Sequence, residues 1–246
     1  KQNKRLWLKR VCRAYYRRTE IKNSEGDFLR YKAVLFDLDG TLINSIFDLH
    51  ASVNYILKKY GYKEITEKQA YSYVGNGLKV LLTLSLGKKD SSEISNFDEM
   101  FKELKEYYFS HCCEKTIPYD GIKELLTKLK SEGYKLALVT NKPDFAAKEI
   151  CDKFFGSLLD IVIGEKEGTA RKPAPDMSEK AMAFLGVKKS ETLYVGDSEV
   201  DILTGKNTGI DVLSVSYGFR SKNDIIKAGA EIIVDNPVEI YDFLNK

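Results

Sequence analysis

Residues 34–42 read VLFDLDGTL, and this stretch decides the fold class. Its first three residues are apolar, which is typical of a strand buried inside a parallel sheet. Asp37 and Asp39 follow directly, and Gly40 then lets the chain turn. Open α/β sheets bind their ligands at the carboxyl ends of such strands. The stretch therefore predicts two carboxylates at a ligand-binding edge, although Asp and Gly also end strands that bind nothing.

Size and composition are those of an ordinary globular protein. The chain has 246 residues, of which 43% are hydrophobic and 30% charged. It contains no run of eighteen apolar residues, so no membrane span is expected. The four cysteines show no CxxC spacing and read as reduced thiols, which favours a cytoplasmic location: Cys12, Cys112, Cys113 and Cys151.

Positive charge is concentrated at the start of the chain. Residues 1–30 hold ten Lys or Arg against three acidic residues, whereas the remainder holds 29 basic and 33 acidic residues. We therefore interpret 1–30 as a basic N-terminal extension, either solvated or in contact with an anion, a membrane surface or a partner. The remainder gives no electrostatic sign of nucleic-acid binding. Because the chain begins at Lys1 rather than methionine, no targeting signal is assigned.

Residues 45–117 show helical periodicity and no convincing strand. Ser45 is placed to cap the first helix, and Thr66 with Gln69 three residues later matches a capping box. The segment is far longer than the usual two to six residues of a βα connection. It is therefore predicted to be a helical domain of its own.

After Pro118 the pattern changes to strands that alternate with helices. Such alternation implies right-handed crossovers and a parallel, doubly wound sheet. We predict one core domain made of residues 31–44 and 118–246, interrupted by the helical segment. The predicted strands that follow Pro118 cover residues 135–140, 159–164, 192–197, 211–218 and 231–236.

Three further loops of this pattern carry polar groups. Thr140 and Asn141 end the strand KLALVT, where a hydroxyl and backbone N–H groups are suited to a phosphoryl oxygen, although a Thr at a strand end is more often a cap. Lys172 lies in RKPAPD, whose prolines stiffen the backbone behind the ammonium. Asp197 and Asp201 stand four residues apart in GDSEVD, so both carboxylates can face one divalent ion.

In this order, FDLDGT, VTN, RKPAPD and GDSEVD resemble the four signature motifs of the haloacid dehalogenase (HAD) superfamily. The segments VTNK, KPAPD, YVGNGL and GIDVLSVSYGFR are similar to those of its phosphoglycolate phosphatase-like branch. The resemblance covers about residues 31–246. It implies an α/β, Rossmann-like parallel-sheet core with a small α-helical cap of the C1 type, formed by 45–117.

The resemblance also implies a mechanism. Asp37 is the nucleophile that becomes an aspartyl phosphate, and Asp39 is the general acid and base. Mg²⁺ is the implied cofactor, held by Asp37, Asp197 and the backbone carbonyl of Asp39. Thr140 and Lys172 then bind the oxygens of the transferring group. Two residues are implied only as supporting ones: Asn141 and Asp201.

The cap supplies the candidates for substrate selection. Gly75, Asn76 and Gly77 form a loop whose backbone can approach a ligand, and a plain helix-to-helix turn is an equally good interpretation. Lys79 or Arg220 is placed to pair with a substrate carboxylate, unless these cations are simply solvated.

The predicted function is thus an Mg²⁺-dependent phosphatase that hydrolyses a small-molecule phosphate monoester, with phosphoglycolate as the leading substrate. The alternatives are a related phosphotransferase (a sugar-phosphate mutase, a pyrophosphatase or a nucleotidase) and a non-catalytic binding protein of the same fold. The presence of every catalytic residue type argues against the last. The sequence does not predict the oligomeric state.

Overall fold

The computed structural model describes residues 30–245. From Tyr31 onward the chain forms one compact unit. The basic extension predicted for residues 1–30 lies outside the described residues, apart from Arg30, and it stays a prediction.

Eight strands occur in the described residues: β1 (Ala33–Phe36), β2 (Ile43–Asn44), β3 (Ile117–Pro118), β4 (Lys135–Pro143), β5 (Ile161–Glu165), β6 (Thr192–Gly196), β7 (Asp211–Val215) and β8 (Ile233–Val234). Six of them form a parallel sheet in the spatial order β5-β4-β1-β6-β7-β8. The predicted doubly wound sheet is therefore confirmed. The last strand is shorter than expected, because it pairs with β7 through only two residues.

Ten α-helices occur in the same part of the chain: α1 (Ile46–Lys59), α2 (Glu67–Tyr73), α3 (Gly77–Ser85), α4 (Phe97–His111), α5 (Ile122–Ser131), α6 (Asp144–Phe154), α7 (Asp176–Leu185), α8 (Glu199–Thr208), α9 (Lys222–Lys227) and α10 (Pro237–Leu244). No helix among the described residues is both long and apolar enough to cross a membrane.

The core of the molecule lies against β1. Ala33 and Leu35 pack in one apolar cluster with Tyr194 of β6 and with Met177 and the other buried side chains of α7. The alternate residues of β1 are equally buried, so both faces of this strand are covered, as parallel sheets require. Burial on both faces explains why the strand is continuously apolar.

Strand register brings the polar strand ends together. Phe36 pairs with Leu138 of β4 and with Val195 of β6. Asp37 and Asp197 directly follow β1 and β6, and Thr140 lies two residues beyond Leu138 in β4, so the three residues emerge at nearly the same level of one sheet edge.

Helices α1 to α4 occupy the chain between β2 and β3. The predicted capping box is confirmed, because Thr66 and Gln69 exchange both of its hydrogen bonds at the start of α2. The sequence missed the antiparallel pair β2–β3 that joins the two ends of this segment, since two residues per strand leave no period to detect. The assignment of 45–117 as a separate domain stays a prediction.

Candidate active site

Asp37 lies at the end of the central strand β1. Its backbone N–H donates to Val195 of β6 at 2.9 Å, and its side chain is buried. The Oδ1 atom lies 2.7 Å from Lys172 Nζ but accepts no hydrogen bond of good geometry. Burial raises the pKa of Asp37 to about 6, although the Lys172 ammonium opposes the rise. The carboxylate is thus held beside a cation and deprived of water.

Lys172 is fixed from two directions. Its Nζ donates to Asp201 Oδ1 at 2.8 Å and to the Tyr194 hydroxyl at 3.1 Å. Its backbone is clasped by the Asn141 side chain, which accepts from the Lys172 N–H at 2.8 Å and donates to the Lys172 carbonyl at 3.1 Å. Burial alone would lower the pKa of Lys172, but Asp201 and Asp37 raise it well above the usual value. A fully charged ammonium is therefore aimed at Asp37.

Asp197 follows β6 in a very tight space. Its carboxylate accepts from the Phe219 N–H at 2.7 Å and from the Thr41 hydroxyl at 3.4 Å. A Cβ added at Gly40 or at Gly218 would come within 2.3 Å of the Asp197 side chain. Burial, and then the charges of Asp201 and Asp37, raise the pKa of Asp197 well above its ordinary value. Gly218, which the sequence analysis did not single out, is therefore a position where only glycine leaves room for the Asp197 side chain.

The carboxylates of Asp37, Asp197 and Asp201 form a group that fits a cation. One oxygen of each lies within 4.8 Å of the others, and all three residues are buried. Asp201 accepts the most hydrogen bonds of the three. Besides the bond from Lys172, it accepts from the Ser198 N–H at 3.0 Å and from the Ser198 hydroxyl at 2.6 Å. Three buried carboxylates beside one ammonium leave net negative charge, and oxygen ligands suit a hard divalent ion. The buried Asp37 Oδ1 supports the same fit, because it is paired with Lys172 but accepts no hydrogen bond of good geometry.

Asp39 points to a different set of partners. Its carboxylate accepts from Lys142 Nζ at 2.9 and 3.2 Å and from the Ser45 hydroxyl. Ser45 takes the N-cap position of α1, as expected, but its side chain makes no capping hydrogen bond. The hydrogen bond to Asp39 orients the Ser45 side chain toward the site and away from the first N–H groups of α1.

Lys142 is the second residue that the sequence analysis missed. Strand β4 runs to Pro143, beyond its predicted end at Thr140, and carries Lys142 into the site. The Lys142 side chain is buried and donates a hydrogen bond to the Tyr108 hydroxyl of α4. Burial would lower the pKa of Lys142, but Asp39 and Tyr108 raise it above the usual value. The available signal was the strand period of two, which puts Lys142 on the same side as Thr140.

A cavity of about 50 Å³ lies over these groups. We call its two walls the acidic side, formed by Asp37, Thr140, Lys172 and Asp197, and the helical side, formed by Leu49, Leu78, Leu81, Tyr108 and Lys142. Gly75, Gly77 and Arg220 also line the cavity, whereas Asn76 and Lys79 do not. The Lys79 ammonium instead lies 5.7 Å from the centre of the Phe97 ring.

Arg220 binds protein groups on both sides of the cavity mouth. Its guanidinium donates to Glu199 Oε2 at 3.0 Å, to the Tyr71 carbonyl at 3.0 Å and to the Val74 carbonyl at 2.7 Å. The last two carbonyls belong to the end of α2, where helix carbonyls lack helical partners. A Cβ at Gly75 would lie 3.1 Å from the guanidinium, so glycine permits this close approach. Arg220 thus ties the loop after α2 to the sheet.

A family model described as haloacid dehalogenase-like hydrolase matches residues 34–215. An N-acetylmuramic acid 6-phosphate phosphatase of Pseudomonas aeruginosa is 31% identical over 221 residues, with 89% of this chain and 96% of the relative covered. A phosphoglycolate phosphatase of Pasteurella multocida is 31% identical over 222 residues, with 87% of this chain and 99% of the relative covered. Two relatives of equal similarity thus bear names with different substrates.

The fold has close counterparts among solved structures. The crystal structure of a protein from Lactobacillus delbrueckii subsp. bulgaricus superposes with a TM-score of 0.82 at 33% sequence identity, and it covers 88% of this chain and 99% of its own.

Proposed function

The chain belongs to the haloacid dehalogenase-like hydrolase family, and from this premise we propose that it is an Mg²⁺-dependent phosphatase acting on phosphoglycolate or a similarly small phosphate monoester. The observation that carries the proposal is the acidic side of the cavity. There the buried Asp37 carboxylate lies 2.7 Å from the buried Lys172 ammonium and within 4.8 Å of two further carboxylates. Such a site accepts a cation and a phosphoryl group together.

Mg²⁺ would be held by Asp37, Asp197 and the backbone carbonyl of Asp39, with Asp201 behind them. When bound, it supplies positive charge that lets an anionic nucleophile approach a phosphate dianion. Lys172 would add a second positive charge at the same atoms, and the Thr140 hydroxyl, which lines the cavity, would donate to a phosphoryl oxygen. The Asp201 carboxylate and the Asn141 clasp keep the Lys172 ammonium and backbone in place.

In the first step an Asp37 oxygen attacks phosphorus, and the bond from phosphorus to the ester oxygen breaks. The leaving alkoxide takes a proton from the Asp39 carboxyl group. In the second step a water attacks the phosphorus of the aspartyl phosphate and gives its proton to Asp39, so that phosphate leaves and Asp37 is restored. The side chain of Asp39 is suited to both transfers, because Lys142 and Ser45 hold it apart from the three carboxylates of Asp37, Asp197 and Asp201.

The lining of the cavity favours a small leaving group. Leu49, Leu78 and Leu81 of the helical side offer few hydrogen-bonding groups to a large, hydroxyl-rich leaving group such as a sugar. Much of the helical side is apolar, so it excludes water from the reaction. A two-carbon acid such as glycolate suits this space better than the amino-sugar acid in the name of the Pseudomonas relative.

The test is phosphate release from a panel of esters by the purified full chain. We expect phosphoglycolate to be hydrolysed faster than N-acetylmuramic acid 6-phosphate, hexose phosphates, pyrophosphate and nucleoside monophosphates. Chelation by EDTA should abolish release, and added Mg²⁺ should restore it.

Interconversion of hexose phosphates with little release would instead identify a mutase, and preference for pyrophosphate or nucleotides would identify the other phosphotransfer alternatives. No turnover of any ester would favour the non-catalytic protein. A cytoplasmic location is part of the proposal, and the free thiols of Cys112, Cys113 and Cys151 support it.

A further inference from the structure

Residues 217–220, which follow β7 and which we call the 217–220 segment, pack on the loop that follows β1. The Tyr217 hydroxyl donates to the Thr41 carbonyl at 3.2 Å. A Cβ added at Gly218 would lie 2.3 Å from the Gly40 carbonyl oxygen, so the two backbones are in close contact. The 217–220 segment is therefore seated directly beside the nucleophile loop.

The same segment supplies the shorter of the two hydrogen bonds that orient the Asp197 carboxylate. The Phe219 N–H donates to Asp197 Oδ2 at 2.7 Å, whereas the Thr41 hydroxyl donates to Oδ1 at 3.4 Å. A hydrogen bond from an N–H group to a charged carboxylate is stronger than one between neutral groups. The donor is a backbone group, so its position depends on what holds the chain at Phe219.

The side chains of Phe219 and Arg220 reach α2. The Phe219 ring meets the Tyr71 ring edge-on, with the ring centres 5.7 Å apart and the ring planes at 78°. Arg220 donates to the carbonyls of Tyr71 and Val74 at the end of the same helix. Edge-to-face ring pairs favour one relative arrangement of their two backbones. Consecutive residues thus connect α2 to one of the three carboxylates of the proposed Mg²⁺ site.

We propose that the contact between Phe219 and Tyr71 positions the Asp197 carboxylate for a divalent cation, so that α2 raises the affinity of the site for Mg²⁺ although it supplies none of the carboxylates. Phe219 and Tyr71 are positioning residues that act through the Phe219 N–H. The inference rests on the proposed Mg²⁺-dependent function. Thermodynamic linkage requires the reverse effect as well, so bound Mg²⁺ must stabilise the packing of α2 on the 217–220 segment.

The first test is calorimetric titration of Mg²⁺ into the purified full chain without substrate. Tyr71→Leu removes the ring and should weaken Mg²⁺ binding about 5-fold, which is the lower end of typical couplings between sites. Tyr71→Phe keeps the ring and should bind Mg²⁺ as the wild type does. Tyr73→Leu is the matched control on α2, because residues two apart do not share a helix face, and it should leave the affinity unchanged.

Phe219→Leu tests the same contact from its other partner. It should also weaken Mg²⁺ binding about 5-fold, and the double variant with Tyr71→Leu should be little weaker than either single variant, since both remove one contact. Phosphate release that these variants lose at limiting Mg²⁺ should return when the Mg²⁺ concentration is raised. General damage to the fold would not be repaired in this way.

Hydrogen exchange of the wild-type chain tests the reverse effect and needs no variant to fold. Adding Mg²⁺ should slow the exchange of backbone amides in α2. The amides of α10, which packs against α5 and β8, are the internal control and should not change.

The outcomes separate this inference from the proposed function. Suppose that the wild type binds Mg²⁺ and releases phosphate, but Tyr71→Leu and Phe219→Leu bind Mg²⁺ normally or Mg²⁺ leaves the exchange of α2 unchanged. The positioning role is then refuted and the phosphatase stands. Equal weakening by Tyr73→Leu or Tyr71→Phe also refutes the role of this ring contact. A wild type that neither binds Mg²⁺ nor releases phosphate from any ester refutes the proposed function itself.

Discussion

The acidic side and the helical side of the cavity are assembled in different ways. Every group of the acidic side comes from the edge of the sheet, either at a strand end or in the loop after β5. The helical side combines residues of α1, α3 and α4 with Lys142 of β4. The difference suggests a division of labour, in which the sheet supplies chemistry common to all esters and the helical segment selects among them. Variants on the acidic side should therefore affect all esters alike.

The largest effect is expected from Asp37→Asn. The amide cannot form an aspartyl phosphate, so phosphate release should fall at least about 1,000-fold on every ester, equivalent to about 4 kcal/mol. The fold should survive, because the change removes a buried charge whose pKa is already raised by burial. Phosphate release and circular dichroism measure the two properties. Activity above about a hundredth of wild type would contradict the nucleophile assignment.

The next largest effect is expected from Gly218→Ala. The added Cβ would lie 2.3 Å from the Asp197 Cβ, so the carboxylate that is proposed to hold Mg²⁺ must move. We expect an activity loss of about 100-fold on all esters and weaker Mg²⁺ binding in calorimetry.

Gly229→Ala is the control for this glycine. Gly229 has a φ of +94° and open space around its Cβ position. Alanine there should cost about 1–2 kcal/mol of stability without any change in Mg²⁺ affinity. If both variants weaken Mg²⁺ binding equally, the close packing of Gly218 against Asp197 does not determine the affinity for Mg²⁺.

The two sides also differ in how much of them the sequence predicts. Asp37, Thr140 and Asp197 were found because parallel strand ends converge on one edge whatever the rest of the chain does. Lys142 and Tyr108 were missed because their contact joins a strand to a helix 34 residues away, and no local pattern encodes that approach.

Ser45 is the opposite case, because a local pattern predicts a side-chain contact that the folded chain does not make. Its local pattern predicted a helix cap, and Ser45 does take the N-cap position, but its side chain bonds the Asp39 carboxylate instead of a helix N–H group. Gly218 lies 21 residues from Asp197 in sequence, yet only the packed structure shows that the carboxylate leaves no room for a side chain. Short-range periodicity therefore predicts the elements, and packing decides which polar groups meet.

The contacts of Asp48 test whether the helical segment is stabilised through its connections to the sheet. Asp48 of α1 is buried and accepts from the Lys115 N–H, the Thr116 N–H and the Thr116 hydroxyl, which precede β3. Asp48→Asn removes the charge and turns an N–H₂ group toward these donors. We expect the free energy of unfolding in urea to fall by about 2 kcal/mol.

Asp98→Asn is its control, because Asp98 is an exposed acidic residue in the first turn of α4. It should change the free energy of unfolding by no more than about 0.5 kcal/mol. If the two variants behave alike, the Asp48 contacts do not contribute to stability. A separate, earlier unfolding transition in Asp48→Asn would show that the helical segment unfolds independently of the sheet.

The smallest effect is expected from Arg220→Lys, which probes the contact between the two sides. Lysine keeps the positive charge but cannot bond the Glu199 carboxylate and the carbonyls of Tyr71 and Val74 at once. The loop after α2 should then be held less firmly over the cavity. We expect KM to rise about 5-fold for all esters with kcat nearly unchanged, since uniform binding is lost and the acidic side is untouched. A fall in kcat on every ester would mean that Arg220 acts on the acidic side, and the division between the two sides would have to be redrawn.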